Sequence, residues 1–89
     1  MKYHIKVSDR PEKKYVAIFS NGKRVYFGAA QYAQYKDKTP LKKYSHMDHL
    51  DKNRRAMYRA RHEKILTKSG KPAYRVLYSP SWFSYNYLW

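Results

Sequence analysis

The chain has 89 residues, with 20 Lys and Arg against 6 Asp and Glu, a net charge of +14 and no cysteine. This length predicts one domain, and the lack of cysteine excludes a disulfide scaffold and a Cys-ligated zinc site. The longest uncharged stretch, residues 76–89, is shorter than the ~20 residues that a membrane-spanning helix needs. Lys2, His4 and Lys6 interrupt the segment after Met1, so we expect no secretory signal and a protein that is not secreted.

The composition combines few aliphatic residues with many aromatic ones. Leu, Ile, Val and Phe make up 15 of 89 residues, a proportion low enough to favour disorder in a highly charged chain. However, the chain also contains 11 Tyr, 3 Phe and 2 Trp, and disordered chains are poor in aromatics. We therefore expect a folded domain with an aromatic core, whose positive charge favours a polyanionic partner.

The first third of the chain reads as antiparallel β-structure. Alternating apolar residues predict a first strand at residues 3–7, and the Asn21-Gly22 pair predicts a two-residue type I′ turn between two further strands. That loop length would set Val16 opposite Phe27 and place both on one face of the hairpin, with Ile18 opposite Val25 on the same face.

The remaining elements are predicted to be mainly helical. Residues 29–35 favour a short helix, residues 48–66 favour a longer one capped by Asp48, and residues 73–78 favour a fourth strand. Ser79 followed by Pro80 predicts the start of a final aromatic helix over residues 79–89. The predicted fold is α+β in a single domain, 1–89. A small antiparallel β-meander of three to four strands, with residues 2–28 as its main part, packs with a central basic helix and a short C-terminal aromatic helix.

The central helix carries two sets of basic residues. Helical spacing places one set in a stripe opposite the apolar side, formed by Lys52, Arg55, Arg59 and His62. This stripe predicts either a polyanion-binding face or a solvated face offset by pairs such as Asp51–Arg55. Arg54 and Arg61 fall nearer the apolar side, where they would either bury their stems or form a pair for phosphate oxygens. The residues predicted to bind nucleic acid are Lys52, Arg54, Arg55, Arg59, Arg61 and His62 on the helix, with Lys36, Lys38, Lys42 and Lys43 on the preceding loop.

The uncharged aromatic segment has three interpretations. It packs over the sheet and completes the core, it docks into another protein, or it lies on a membrane surface. The membrane interpretation is the weakest of the three, because the polar face of the segment is Ser and Asn rather than Lys and Arg. The residues that would form the docking surface are Trp82, Phe83, Tyr85, Tyr87 and Trp89.

The sequence gives no support for catalysis or for a bound metal. His46, His49 and His62 are potential ligands, but no established zinc spacing accompanies them. There is no Gly-rich phosphate loop and no nucleophile–base pattern. We expect no enzyme, no catalytic residue, no metal, no cofactor and no small-molecule substrate.

An ordered set of motifs resembles a known family. The set runs from Val25-Tyr-Phe-Gly-Ala and Tyr32-Ala-Gln-Tyr35, through His49-Leu-Asp51, Arg54-Arg55, Tyr58 and Arg61-His62, to Ser79-Pro-Ser-Trp-Phe-Ser and Leu88-Trp89. It resembles a small uncharacterised domain family of large nucleocytoplasmic DNA viruses. The resemblance implies a viral setting, in the virion or in a virus factory of the host cytoplasm or nucleus.

Charge and resemblance together lead to two hypotheses. The first is a viral protein that binds nucleic acid without sequence preference, through backbone contacts with double-stranded DNA, and that neutralises or compacts the genome. The second is a small virion structural protein, a cement of the capsid or core, whose aromatic C-terminus docks on other virion proteins.

Overall fold

Three strands form one antiparallel sheet in the order β1-β2-β3, and two helices complete a small α+β fold, as the sequence predicts. The strands are β1 (Tyr3–Val7), β2 (Lys13–Phe19) and β3 (Arg24–Ala29), and the helices are α1 (Lys52–Glu63) and α2 (Pro80–Tyr87). This computed structural model describes residues 2–89, so Met1, the first residue of the predicted domain, lies outside the described residues. Within that part, no helix is both long and apolar enough to cross a membrane.

The β2–β3 hairpin differs by one residue from the predicted register. Tyr15 pairs with Phe27 and Ala17 pairs with Val25, because the loop contains three residues rather than two. Within this loop, residues 20–22, only Gly22 has a positive φ, +89°, which fits a turn that ends in a left-handed glycine rather than the type I′ turn that we predicted. The slip of one residue moves the side chains of one strand to the opposite face, so the predicted pairing of Val16 with Phe27 is wrong.

The core is aromatic and lies between the sheet and α2. Its buried members are Tyr15, Ala17, Phe19, Val25, Phe27, Phe83 and Leu88. Phe83 is fully buried, and its ring lies 5.1 Å from that of Phe27 and 5.2 Å from that of Tyr3. Ser79 caps α2 by accepting a hydrogen bond from Trp82 N, and Pro80 occupies its first turn, as the sequence indicates.

Two predicted elements are absent from the described residues. Residues 29–35 form no helix, because β3 continues to Ala29 and the chain then turns into an irregular loop. Residues 73–78 form no fourth strand but a short 3₁₀ turn, Ala73–Arg75, whose Ala73 carbonyl accepts a hydrogen bond from Ser79 Oγ. Both predictions relied on local composition, and both segments instead serve contacts with distant residues.

The central helix begins later than the spacing predicts. Asp51, not Asp48, is its N-cap, and its carboxylate accepts hydrogen bonds from the backbone of Asn53 and Arg54. Leu50 has φ +55° and therefore cannot continue a right-handed helix. The predicted apolar side is not a buried face, since Leu50 and Met57 are 57% and 61% exposed.

Candidate nucleic-acid interface

The inward face of α1 is formed by part of the predicted basic stripe. Arg55 Nε and Arg59 Nη2 both donate hydrogen bonds to the carbonyl oxygen of Trp89, at 2.7 and 2.9 Å. Their guanidinium groups also lie over the rings of Tyr35 and Tyr85, 4.6 and 4.4 Å from the centroids. These two arginines therefore attach α1 to α2 and the loop, a structural task that the sequence pattern did not indicate.

An aromatic stack lies beside these arginines, on the ring of Trp89. The Tyr58 ring lies 4.0 Å from that of Trp89 on one side and 3.8 Å from that of His62 on the other. Burial raises the pKa of Tyr58 to about 12. Burial and the charge of Arg61 lower the pKa of His62, so this predicted phosphate ligand is held towards its neutral form.

The accessible cations of α1 lie on either side of its inward face, because Lys52 is about 180° from Arg61 around the helix. Lys52, Arg54 and Arg61 are exposed. Arg54 and Arg61 line a small cavity of about 170 Å³ together with Met57 and Trp89. The inward face of α1 passes through Tyr58 rather than through these two arginines. Their presence at one cavity is the arrangement that the phosphate-pair hypothesis needs.

Two loop lysines, Lys36 and Lys38, lie beside the end of α2 and near the inward arginines of α1. The backbone N–H groups of Lys36 and Lys38 donate to Leu88 O and Tyr87 O, at 3.1 and 2.8 Å, so the loop runs beside the end of α2. Burial lowers the pKa of Lys38, and the neighbouring charges of Arg55, Arg59 and Lys36 lower it further. Lys36, Lys38, Arg55 and Arg59 therefore lie close enough together for their charges to repel one another.

Lys42 and Lys43 lie farther along the same loop. Both side chains are exposed, and their backbone N–H groups donate to Thr39 Oγ1 and to the Tyr15 hydroxyl. We use the name "α1 surface" for the exposed cations of the helix and the two loop lysines beside it: Lys36, Lys38, Lys52, Arg54 and Arg61.

A buried polar network holds the loop that carries Lys36 and Lys38. Lys14 is 1% exposed, and its Nζ donates to Tyr32 O and Gln34 Oε1, both at 2.5 Å. Gln34 Nε2 then donates to Asp48 Oδ1 at 2.5 Å, and the same oxygen accepts from Asp37 N at 2.8 Å. Burial lowers the pKa of Lys14 to about 8, against the opposing charges of Asp37 and Asp48.

Asp37 is the second centre of the network. Its carboxylate accepts hydrogen bonds from Thr39 Oγ1 at 2.6 Å, from Tyr44 N at 3.1 Å and from the Tyr15 hydroxyl. Burial opposes ionisation of Asp37, but the bonds from Thr39 and Tyr15 outweigh it and lower its pKa. The sequence pattern did not indicate this network, although Asp37 followed two residues later by Thr39 is a recognisable turn signal.

The network changes the charge balance of the surface. Asp37 is buried, Asp48 bonds inward, and Asp51 caps α1, so three of the six acidic residues serve the fold. Over residues 2–89, the only ion pair between a basic and an acidic side chain joins Arg24 to Asp9, at 3.8 Å. The α1 surface is therefore positive without an acidic partner in the described part of the chain.

The aromatic segment is largely used by the fold. Phe83 is buried, while Trp82, Tyr87 and Trp89 pack against the core and keep part of their surface accessible. Tyr85 stacks on Tyr74, with ring centroids 4.5 Å apart. No three His, Asp or Glu side chains of residues 2–89 converge closely enough to hold a metal ion.

The comparisons with known proteins give one match. A family model described as a family of unknown function (DUF5754) matches residues 3–62, about two thirds of the chain. The chain belongs to this family. The matched residues include the sheet, the buried network and nearly all of α1, so the family region contains the whole α1 surface and ends before α2. No curated protein and no solved structure matches the chain.

Proposed function

We propose that the protein binds nucleic acid through the α1 surface, by contacts with backbone phosphates and without sequence preference. The observation that carries this proposal is the unbalanced charge of that surface. Its five cations are exposed, and within residues 2–89 no carboxylate forms an ion pair with them. Phosphate oxygens are the partners that guanidinium and ammonium groups of this kind bind through charge-assisted hydrogen bonds.

The contacts of each basic residue indicate whether it would bind phosphate or position α1. Arg54 and Arg61 face one cavity and would hold a phosphate between them, while Lys36, Lys38 and Lys52 would contact other phosphates of the same nucleic acid. Arg55 and Arg59 already bond to Trp89 O, so their part is to position α1 and add positive potential. Such contacts place a protein on a duplex but carry no base code.

The proposal also includes a biological setting. The ordered motifs resemble a family of large nucleocytoplasmic DNA viruses, whose genomes need neutralisation inside a particle. A small basic domain that binds double-stranded DNA through phosphates would supply that neutralisation. We therefore propose a role in compacting genomic DNA, in the virion or in the virus factory.

Salt dependence tests the binding proposal. Five phosphate contacts predict a slope of about −4.5 for the logarithm of the association constant against the logarithm of salt concentration, from ~0.9 per contact. Fluorescence anisotropy with a labelled random-sequence duplex, titrated between about 50 and 300 mM salt, measures this slope. Weak binding that does not change with salt would contradict the proposal.

A matched pair of double variants tests the site. Arg54→Gln with Arg61→Gln should reduce the slope by about two units, because two phosphate contacts are lost. Lys68→Gln with Lys71→Gln removes the same charge from exposed positions outside the α1 surface and should leave the slope near the wild-type value. Equal changes in both variants would show that charge alone binds, without a site.

The alternative is a structural protein of the virion that docks through its aromatic C-terminus. Burial of Phe83 and Leu88 assigns two apolar side chains of that segment to the core rather than to a partner. The accessible parts of Trp82 and Trp89 remain as a smaller contact surface. We favour nucleic-acid binding, because the unpaired cations have no task in the fold, whereas the aromatic residues have one.

A further inference from the structure

The outer edge of β3 is an unpaired strand edge. β3 is the last strand of the sheet and pairs only with β2 among residues 2–89. Phe19 N donates to Lys23 O across the turn, so the hydrogen-bonded pairs continue at every second residue, through Val25 and Phe27. The N–H and C=O groups of Arg24 and Tyr26 therefore point away from β2, and no backbone hydrogen bond from residues 2–89 reaches them.

A groove runs beside this edge. It has a volume of about 710 Å³ and lies between β3 and the segment formed by residues 76–80. On the side of the core, it is bounded by Val25, Leu77 and Tyr78, and Leu77 is 60% exposed. We use the name "β3 groove" for this space. Its position gives an incoming chain both an edge to pair with and an apolar wall to pack against.

Four basic residues also line the groove: Arg10, Lys13, Lys23 and Arg24. Arg24 and Tyr26 point to the face of the sheet opposite Val25, which makes that side of the groove positively charged. Arg10 lies over the Tyr26 ring, 4.2 Å from the centroid, and Tyr26 donates to Asp9 at 2.8 Å. Asp9 is also the ion-pair partner of Arg24, and it is not among the residues that line the groove. The groove therefore combines an apolar wall, a basic wall and free backbone groups between them.

We propose that the β3 groove binds an acidic peptide segment of another protein, which adds to the sheet as a fourth strand beside β3. Successive side chains of a strand point to opposite faces of the sheet. A peptide that alternates acidic and apolar residues would place its apolar side chains against Leu77 and Tyr78 and its carboxylates near Arg10 and Arg24. Its own N–H and C=O groups would pair with those of Arg24 and Tyr26.

The chemistry of the edge decides between a peptide and other occupants. Nucleic acid supplies phosphate acceptors, but its backbone has no regular series of donors for the C=O groups of Arg24 and Tyr26. A second copy of this chain would pair one basic wall with another, between proteins that each carry +14. An acidic peptide satisfies the donors, the acceptors and the charge together. This proposal does not rest on the α1 surface or on nucleic-acid binding.

Amide exchange measured by NMR on the ¹⁵N-labelled full chain tests the proposal. The probe is a seven-residue N-acetylated peptide that alternates Glu and Val. Saturating peptide should slow exchange of the Arg24 and Tyr26 amides by about tenfold or more, because both become hydrogen-bonded. The same peptide with N-methyl groups on alternate residues should fail to protect them. Equal binding of both peptides, or protection that maps outside β3, would overturn the proposal.

Two variant pairs and two further measurements complete the test. Lys23→Gln with Arg24→Gln should weaken peptide binding about fivefold, from two exposed charge pairs. Lys2→Gln with Lys6→Gln makes the same charge change on β1, outside the groove, and should leave binding within about twofold. Protection of the same amides by oligo(dT) would assign the groove to nucleic acid instead. Protection that rises with protein concentration, without peptide, would assign it to a second copy.

Discussion

Replacing Lys14 by Met should remove a pH dependence of stability that the buried amine creates. Lys14 is 1% exposed, and burial lowers its pKa from 10.5 to about 8. Between these values the unfolded chain binds more protons than the folded one, so the free energy of unfolding of the wild type rises with pH. Integrating that difference from pH 7 to pH 9.5 gives a rise of about 2 kcal/mol.

The variant separates this effect from the hydrogen bonds of the amine. At neutral pH, Lys14→Met relieves about 3 kcal/mol of charge burial but leaves Tyr32 O and Gln34 Oε1 without their donor. Each unsatisfied acceptor costs about 1–3 kcal/mol, so the two effects nearly cancel in the absolute stability. The pH dependence does not cancel, because methionine does not titrate.

Urea unfolding followed by tryptophan fluorescence measures the free energy of unfolding at several pH values between about 7 and 9.5. The wild-type value should rise relative to that of Lys14→Met by about 2 kcal/mol across this range. Lys6→Met, which replaces an exposed lysine of β1, should give a profile parallel to the wild type. Parallel profiles for Lys14→Met and the wild type would refute the argument that burial of the Lys14 charge governs this dependence.

Three further predictions concern the aromatic core, the close contact between Gly28 and Leu88, and stability at alkaline pH. Phe83→Ala should lower the free energy of unfolding, measured with urea, by about 3–5 kcal/mol. Tyr32→Ala, at a side chain that is 64% exposed, should change it by no more than about 0.5 kcal/mol. A small loss for Phe83→Ala would contradict the burial of α2. Gly28→Ala should lower the melting temperature more than Gly22→Ala. Both glycines have positive φ, but only at Gly28 would a Cβ lie 2.8 Å from Leu88 Cδ1, with open space at Gly22. Between about pH 10 and pH 12 the free energy of unfolding of the wild type should fall. Burial raises the pKa of Tyr15 and of Tyr58 to about 12, so these tyrosines ionise first in the unfolded chain. An unfolding curve that does not change over this range would contradict the prediction.

Local signals in the sequence predicted the parts of the fold that local chemistry determines. Ser79 and Pro80 mark the start of α2, since a side-chain cap and a fixed φ act within one turn. The Asn21-Gly22 pair located the hairpin, but the same glycine fits a two-residue and a three-residue loop. The choice between them decides which side chains face the core, and the burial of Tyr15 and Phe27 opposite α2 favours the three-residue loop.

The candidate site was harder to predict, because its orientation depends on distant contacts. Helical spacing grouped Arg55, Arg59 and His62 correctly on one side of α1, but the sequence did not show that this side faces Trp89. An inward face built from arginine and aromatic rings lacks the aliphatic residues by which a buried helix face is recognised. The start of the helix was misplaced for a similar reason, because Asp48 bonds to Gln34 and Asp37 instead of capping.

The hydrogen bond between the hydroxyls of Tyr3 and Tyr87 joins residues 84 positions apart in the chain. Closing a loop of that length costs about 4 kcal/mol of chain entropy, before the packing of α2 offsets it. The strands, by contrast, connect through short turns and form early at little entropic cost. The sheet should therefore form before α2 packs on it, and its aromatic face should be exposed to solvent until then. The rate of folding should therefore depend on that last step, and aggregation should compete with it.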